Sequence, residues 1–109
     1  MAGSFFQSVY EVVARIPYGK VLSYGDIARC VGYPNRARFV GFAMRACPDH
    51  LPWHRVVMAD GSIAGGGFAP VRRMLLEREN VPFLPDGRVD LRACRAPLAE
   101  IRAKCVAET

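Results

Sequence analysis

The sequence predicts a small α/β domain, mostly helical, that contains a helix-turn-helix. Three observations carry this. Phe5, Phe6, Val9, Val12, Val13 and Ile16 fall near the i, i+3, i+4, i+7 positions of one helical face. Two further helical stretches flank Gly32-Tyr33-Pro34, and a pair of helices joined by a short Gly-containing turn is a helix-turn-helix. Beyond them Val56-Val57-Met58 is an apolar run of strand length, closed by Asp60-Gly61 as a turn. A chain of 109 residues has room for one such domain with a modest core.

Each element has local reasons. Ser4 is placed to cap the first helix, and Pro17-Tyr18-Gly19-Lys20 stops it. Ser23 caps the second, with Asp26 three residues on as an acidic variant of the capping box. Asn35 to about Cys47 reads as the third helix, the one that in such pairs commonly enters a DNA groove, although short helix pairs also occur in ordinary bundles. Ala64-Gly65-Gly66-Gly67-Phe68 is a Gly-rich loop without the G-K-[ST] ending of a phosphate cradle. Pro70 to about Glu79 forms a fourth helix, with Pro70 near its first turn and Val71, Met74 and Leu75 on one side. Pro82 to Leu91 holds two short extended pieces about Asp86-Gly87. Arg92 to Lys104 alternates cations with Leu98, Ile101 and alanines, and reads either as a weak helix or as a frayed basic tail.

Fifteen Lys and Arg against ten Asp and Glu leave a formal net charge of +5, which suits a polyanionic partner without establishing one. No apolar run approaches the roughly 20 residues needed to span a bilayer, and Met1-Ala2-Gly3-Ser4 has no signal-peptide character. The expectation is a monomer in the cytoplasm, associated with the nucleoid, with no membrane partner. Cys30, Cys47, Cys94 and Cys105 lack the paired spacing of a secreted scaffold and are expected as free thiols. Cys47, His50 and His54 lie within eight residues, but tetrahedral zinc needs four ligands, or three with water. Pro48 and Pro52 prevent the regular helix that would align them, so neither a metal nor a cofactor is expected.

The most pointed stretch is Leu51-Pro52-Trp53-His54-Arg55-Val56-Val57, a proline-led turn with an indole and an imidazole side by side. On their own, Trp53 and His54 are ordinary core residues. In sequence, however, the stretch resembles the Pro-Cys-His-Arg-Val active-site motif of O6-alkylguanine-DNA alkyltransferases, whose cysteine accepts the alkyl group. Pro52, His54, Arg55 and Val56 match, and Trp53 stands in the cysteine's place. A thiol beside an imidazole can be made nucleophilic. An indole offers one N–H donor and cannot take an alkyl group by displacement. This tryptophan form resembles the alkyltransferase-like proteins, which recognise alkylated guanine without repairing it. The likeness runs through Tyr24-Gly25, Ile27-Ala28, Gly32, Pro34, Ala37-Arg38 and Val40-Gly41, covers Phe5 to Glu79 with specific motifs, and reaches Leu91 more loosely through Gly87-Arg88-Val89-Asp90-Leu91.

The resemblance implies a fold like the C-terminal domain of those alkyltransferases over residues 1–91. Residues 92–109 follow as a basic tail, packed on the domain or free. It implies no catalytic residue. Tyr24 would turn the phosphate beside the damaged nucleotide, and Arg38 would fill the stack the base leaves, replacing part of the few kcal/mol lost on extrusion. Ala37 would allow close approach in the minor groove. Tyr24, Met44, Trp53, His54, Val56, Gly65 and Gly66 would line the lesion pocket, while Pro52, His54, Arg55 and Glu79 would hold its structure. The Gly-rich loop lacks the family's tyrosine and serine, which implies a roomier pocket. Cys47 occupies the place of a hinge asparagine, and Phe39, where a smaller residue is usual, is expected to face the core. The implied partners are double-stranded DNA containing O6-alkylguanine and, downstream, nucleotide excision repair proteins. Two alternatives are alkyl transfer to another cysteine, Cys47 being nearest, and a helix-turn-helix regulator that reads base sequence.

Overall fold

The computed structural model describes residues 2–63 and 65–107, with side chains described for 4–63 and 65–102. Ala64 and the side chain of Cys105 lie outside the described residues. Helix α1 (Ala2–Ala14) starts ahead of Ser4, which therefore sits inside the first turn instead of capping it. There its carbonyl accepts a bond from Ser8 Oγ at 3.1 Å. The predicted stripe is the core: Val9, Val12, Val13 and Ile16 are buried together with Ile27, Val40, Met44 and Val56.

Strand β1 (Leu22–Ser23) lies parallel to β2 (Val56–Val57), pairing Leu22 with Val56 and Ser23 with Val57. Met58, expected to extend the second strand, is outside it and exposed. A two-residue strand such as β1 has no period to read, because its partner makes it. Helix α2 (Tyr24–Cys30) carries the predicted capping box: Ser23 Oγ accepts from Asp26 N at 3.1 Å, and Asp26 accepts from Ser23 N at 3.0 Å. After Gly32, whose φ of 88° is left-handed, comes α3 (Ala37–Arg45), packed on α2. It is shorter than predicted at both ends. Arg36 N bonds back to Tyr33 O in a turn, and Pro48 disfavours helix in the residue before it.

Helix α4 (Ala69–Arg78) has Pro70 in its first turn. The extended pieces around Asp86-Gly87 meet through a Phe83–Val89 antiparallel bridge, and Gly87 has a φ of 93°. Gly61 is tighter still: at φ 90° it packs against Val89, and a Cβ there would collide with the Val89 carbonyl oxygen.

Beyond Leu91 the chain forms α5 (Leu91–Cys94) and α6 (Leu98–Ala107). The boundary drawn after Leu91 thus falls inside a helix, and the segment does not fray within the described residues. Val21 N donates to Cys94 O at 3.0 Å and Ala96 N to Val21 O at 2.9 Å, while Arg95 Nε reaches the buried Asp26 carboxylate at 3.2 Å. Ala96 and Ile101 join the main core, and α6 packs on α1 and α2. These are long-range bonds, and local periodicity carries no trace of them. Among the described residues no helix is long and apolar enough to cross a membrane.

Candidate nucleic-acid interface

Pro52 leads into a single 3-10 turn, Trp53–Arg55, that runs directly into β2. The turn is held by Glu79, at the C-cap of α4. Glu79 Oε1 accepts from Gly19 N at 2.9 Å and Arg55 Nε at 2.9 Å. Its Oε2 accepts from Arg55 NH2 at 2.8 Å and lies 2.7 Å from His54 Nε2. These four contacts fill a carboxylate's acceptor sites. The third arm of Arg55, NH1, donates to Ile16 O at 2.8 Å, so one ion pair ties the end of α1, the turn and the end of α4 together.

Burial alone would raise the Glu79 pKa. The hydrogen bonds from Arg55, Gly19 and His54, with the charge of Arg55, outweigh it and bring the carboxyl from 4.5 down to about 2. At neutral pH the group is an acceptor only, so His54 Nε2 must carry the hydrogen between them. The imidazole is thereby fixed in orientation, with the Trp53 ring perpendicular to it at 6.1 Å.

Beside α2 and α3 lies a hollow of about 820 Å³. Tyr24 borders it from α2, and Ala37, Arg38, Met44 and Arg45 from α3. Gly65 and Arg72 close the far side. Volumes of this order accommodate small organic ligands. Arg38 is exposed and Tyr24 half-buried, so the two stand at the rim on neighbouring helices. Of the predicted pocket residues the hollow gathers Tyr24, Met44 and Gly65. It does not gather Val56, which is fully inside the core, nor Trp53 and His54, which border a separate depression with Pro52 and Arg55, nor Gly66. Arg72 packs over Trp53. Its guanidinium lies 4.9 Å from the indole centroid and its NH1 donates to Trp53 O at 3.4 Å. Phe68 meets the same ring at 6.2 Å. Trp53 is packed between the start of α4 and the core, and Arg72 both covers it and borders the hollow.

Arg72 was missed by sequence reasoning, although a signal existed: it precedes Glu79 by seven residues, which puts both on one face of α4. Phe39 corrects an expectation. It is 41% exposed, stacked edge-on with Phe42 at 5.6 Å, and covered by Arg36 at 5.1 Å. Position 39 lies off the face formed by Val40, Ala43 and Met44, so a larger side chain there has no core to enter. Cys47 is half-buried, and burial pushes its thiol pKa up despite the nearby charge of Arg72. Cys94 is buried, shifted up chiefly by burial, and bonded through Sγ to Asp90 O. Among the described residues no group of three or more His, Cys, Asp or Glu side chains is arranged to hold a metal ion.

The fold and this site together define a helix-turn-helix DNA-binding domain with a hollow alongside its second helix. Residues 4–81 match the family model of the 6-O-methylguanine DNA methyltransferase DNA binding domain, and the chain belongs to that family. It is 53% identical over 62 residues to Alkyltransferase-like protein 1 of Schizosaccharomyces pombe, a match covering 55% of this chain and 57% of that protein. It is 41% identical over 95 residues to the DNA base-flipping protein of Escherichia coli, covering 84% of this chain and 74% of that one. Among solved structures, the S. pombe alkyltransferase-like protein in complex with damaged DNA containing O6-carboxymethylguanine superposes with a TM-score of 0.78 at 36% identity. That superposition covers 87% of this chain and 96% of the yeast one. The Mycobacterium tuberculosis O6-methylguanine methyltransferase gives 0.64 at 39% identity over 75% of this chain and 52% of that one.

Proposed function

We propose that the protein binds duplex DNA containing O6-alkylguanine through the minor groove, rotates the modified nucleotide into the hollow beside α3, and holds it without chemical change. The observation that carries this is that Tyr24 and Arg38 border one hollow beside the two helices of the motif, with room for an extruded base and its substituent. On this reading the exposed Arg38 guanidinium enters the vacated stack, and the half-buried Tyr24 meets the backbone of the rotated nucleotide. Small residues on the same face, Ala37 and Gly41, let the helix approach closely. The formal net charge of +5 speeds encounter with the polyanion.

The binding-only reading is supported by what stands at position 53. His54 and Glu79 keep the geometry that would serve a thiol, but the neighbouring side chain is an indole stacked under Arg72. Cys47 is a poor substitute, because burial pushes its thiol pKa up, away from the nucleophilic thiolate. The names of its relatives, an alkyltransferase-like protein and a DNA base-flipping protein, agree with this reading. In the cell the bound lesion would be flagged for nucleotide excision repair, in the cytoplasm at the nucleoid. The deciding experiment is a fluorescence-anisotropy titration of one duplex carrying guanine or O6-methylguanine at the same position. Markedly tighter binding of the modified duplex is expected, and equal affinity would end the reading.

A further inference from the structure

We propose that Arg72 makes the hollow selective for O6 adducts that end in an anionic group, a carboxylate above all, over neutral alkyl groups of the same size. This rests on the lesion-binding reading above and names the class of adduct that the site takes best. The lining of the hollow contains three arginines, Arg38, Arg45 and Arg72, and no aspartate or glutamate. Arg38 and Arg45 are exposed on α3, whereas Arg72 is half-buried and reaches the hollow from α4; on the lesion-binding reading the first two would meet the nucleic acid and Arg72 the substituent of the inserted base.

Arg72 has donors to spare. Its contact with Trp53 O is long at 3.4 Å, and its Nε is buried with no acceptor among the described residues. On α4, Glu77 is paired with Arg73 and Glu79 with Arg55 and His54, while the exposed Asp49, which like Arg72 acts on Cys47, does not line the hollow. A carboxylate arriving from the ligand would replace the long Trp53 contact with charge-assisted bonds from the terminal nitrogens of the guanidinium. The indole beneath keeps the cation in place by stacking, so little ordering remains to be done on binding. A neutral propyl group of similar length would cover the same wall and leave the donors unmet.

The test measures affinities of the full chain for one duplex carrying guanine, O6-methylguanine, O6-propylguanine, O6-carboxymethylguanine or the methyl ester of the last. The carboxymethyl duplex should bind about 10- to 100-fold tighter than the propyl duplex, the range of a charge-assisted hydrogen-bonded pair. The methyl ester should fall back to the propyl value. Arg72→Met should bring the carboxymethyl-to-propyl ratio to about one, and Arg72→Lys should keep part of it because the charge remains without the fork. Should Arg72→Met fail to fold, the ester comparison on the unaltered chain still decides. If all modified duplexes bind equally well and all better than guanine, the role of Arg72 is overturned while the lesion-binding reading stands. If guanine binds as tightly as the rest, both fall.

Discussion

Replacing Glu79 by glutamine should unfold the site from its hub, and the size of the effect follows from the geometry. Glu79 is 9% exposed and faces an Arg55 side chain that is only 16% exposed. Removing its charge leaves that guanidinium largely buried without a counter-ion, a situation that typically costs about 3–5 kcal/mol. At roughly 4 °C per kcal/mol for a domain of this size, the melting temperature should fall by roughly 12–20 °C. The acid limb gives an independent estimate. A fall in pKa from 4.5 to about 2 corresponds to about 3 kcal/mol of stability. Because the folded pKa lies below the unfolded one, that contribution is complete above about pH 5 and disappears as pH falls toward 2. Urea melts of the two proteins should therefore differ most at neutral pH and converge as pH falls from about 5 toward about 2. Exposed carboxylates such as Asp60 and Asp86 titrate alike in both, so the difference isolates Glu79. If Glu79→Gln lay within about 1 kcal/mol of the parent at pH 7, or lost stability in acid with an undiminished slope, the hub assignment would be wrong.

Other outcomes follow from the same structure. Arg38→Ala and Tyr24→Ala should each weaken binding to O6-methylguanine DNA by roughly 10- to 100-fold, the scale of the extrusion energy, while Arg38→Ala leaves the melt unchanged; affinity that stays constant at fixed salt would remove the residue concerned from the extrusion step. Gly61→Ala should destabilise by about 2–4 kcal/mol in urea, since it combines a left-handed φ with a clash against Val89, and a near-neutral result would mean that the turn relaxes freely. Cys47 and Cys94 should alkylate with iodoacetamide at pH midpoints above the ordinary thiol range, and a midpoint at or below it for Cys47 would reopen transfer to that sulfur.

The parts of the fold legible in the sequence are those fixed by local chemistry. The α1 stripe, the Ser23–Asp26 capping box, Pro70 at the start of α4 and the turn at Asp86-Gly87 each depend on neighbours within one or two turns of chain. What was not legible depends on distant partners. β1 exists only because Val56 and Val57 lie beside it, and the C-terminal helices are fixed by Val21 and Asp26, some 70 residues earlier in the chain. The site divides the same way. Pro52, His54 and Arg55 lie within four residues of one another, and the family pattern points to Glu79; in the structure the Glu79 carboxylate contacts His54 and Arg55. The contact between Arg72 and Trp53 is not legible, because the two are 19 residues apart and only the fold brings the guanidinium over the ring. Phe39 departs from the family's smaller residue, which points it to the core; its place on the helix face keeps it out.

The most direct measurement of the central claim is intact mass spectrometry of the protein after incubation with excess O6-methylguanine duplex, paired with recovery of the modified base from the same sample. The account predicts a lesion-dependent complex from which the protein returns at its original mass and the O6-methylguanine returns in full. Protein heavier by one methyl group, with matching loss of O6-methylguanine, would contradict it.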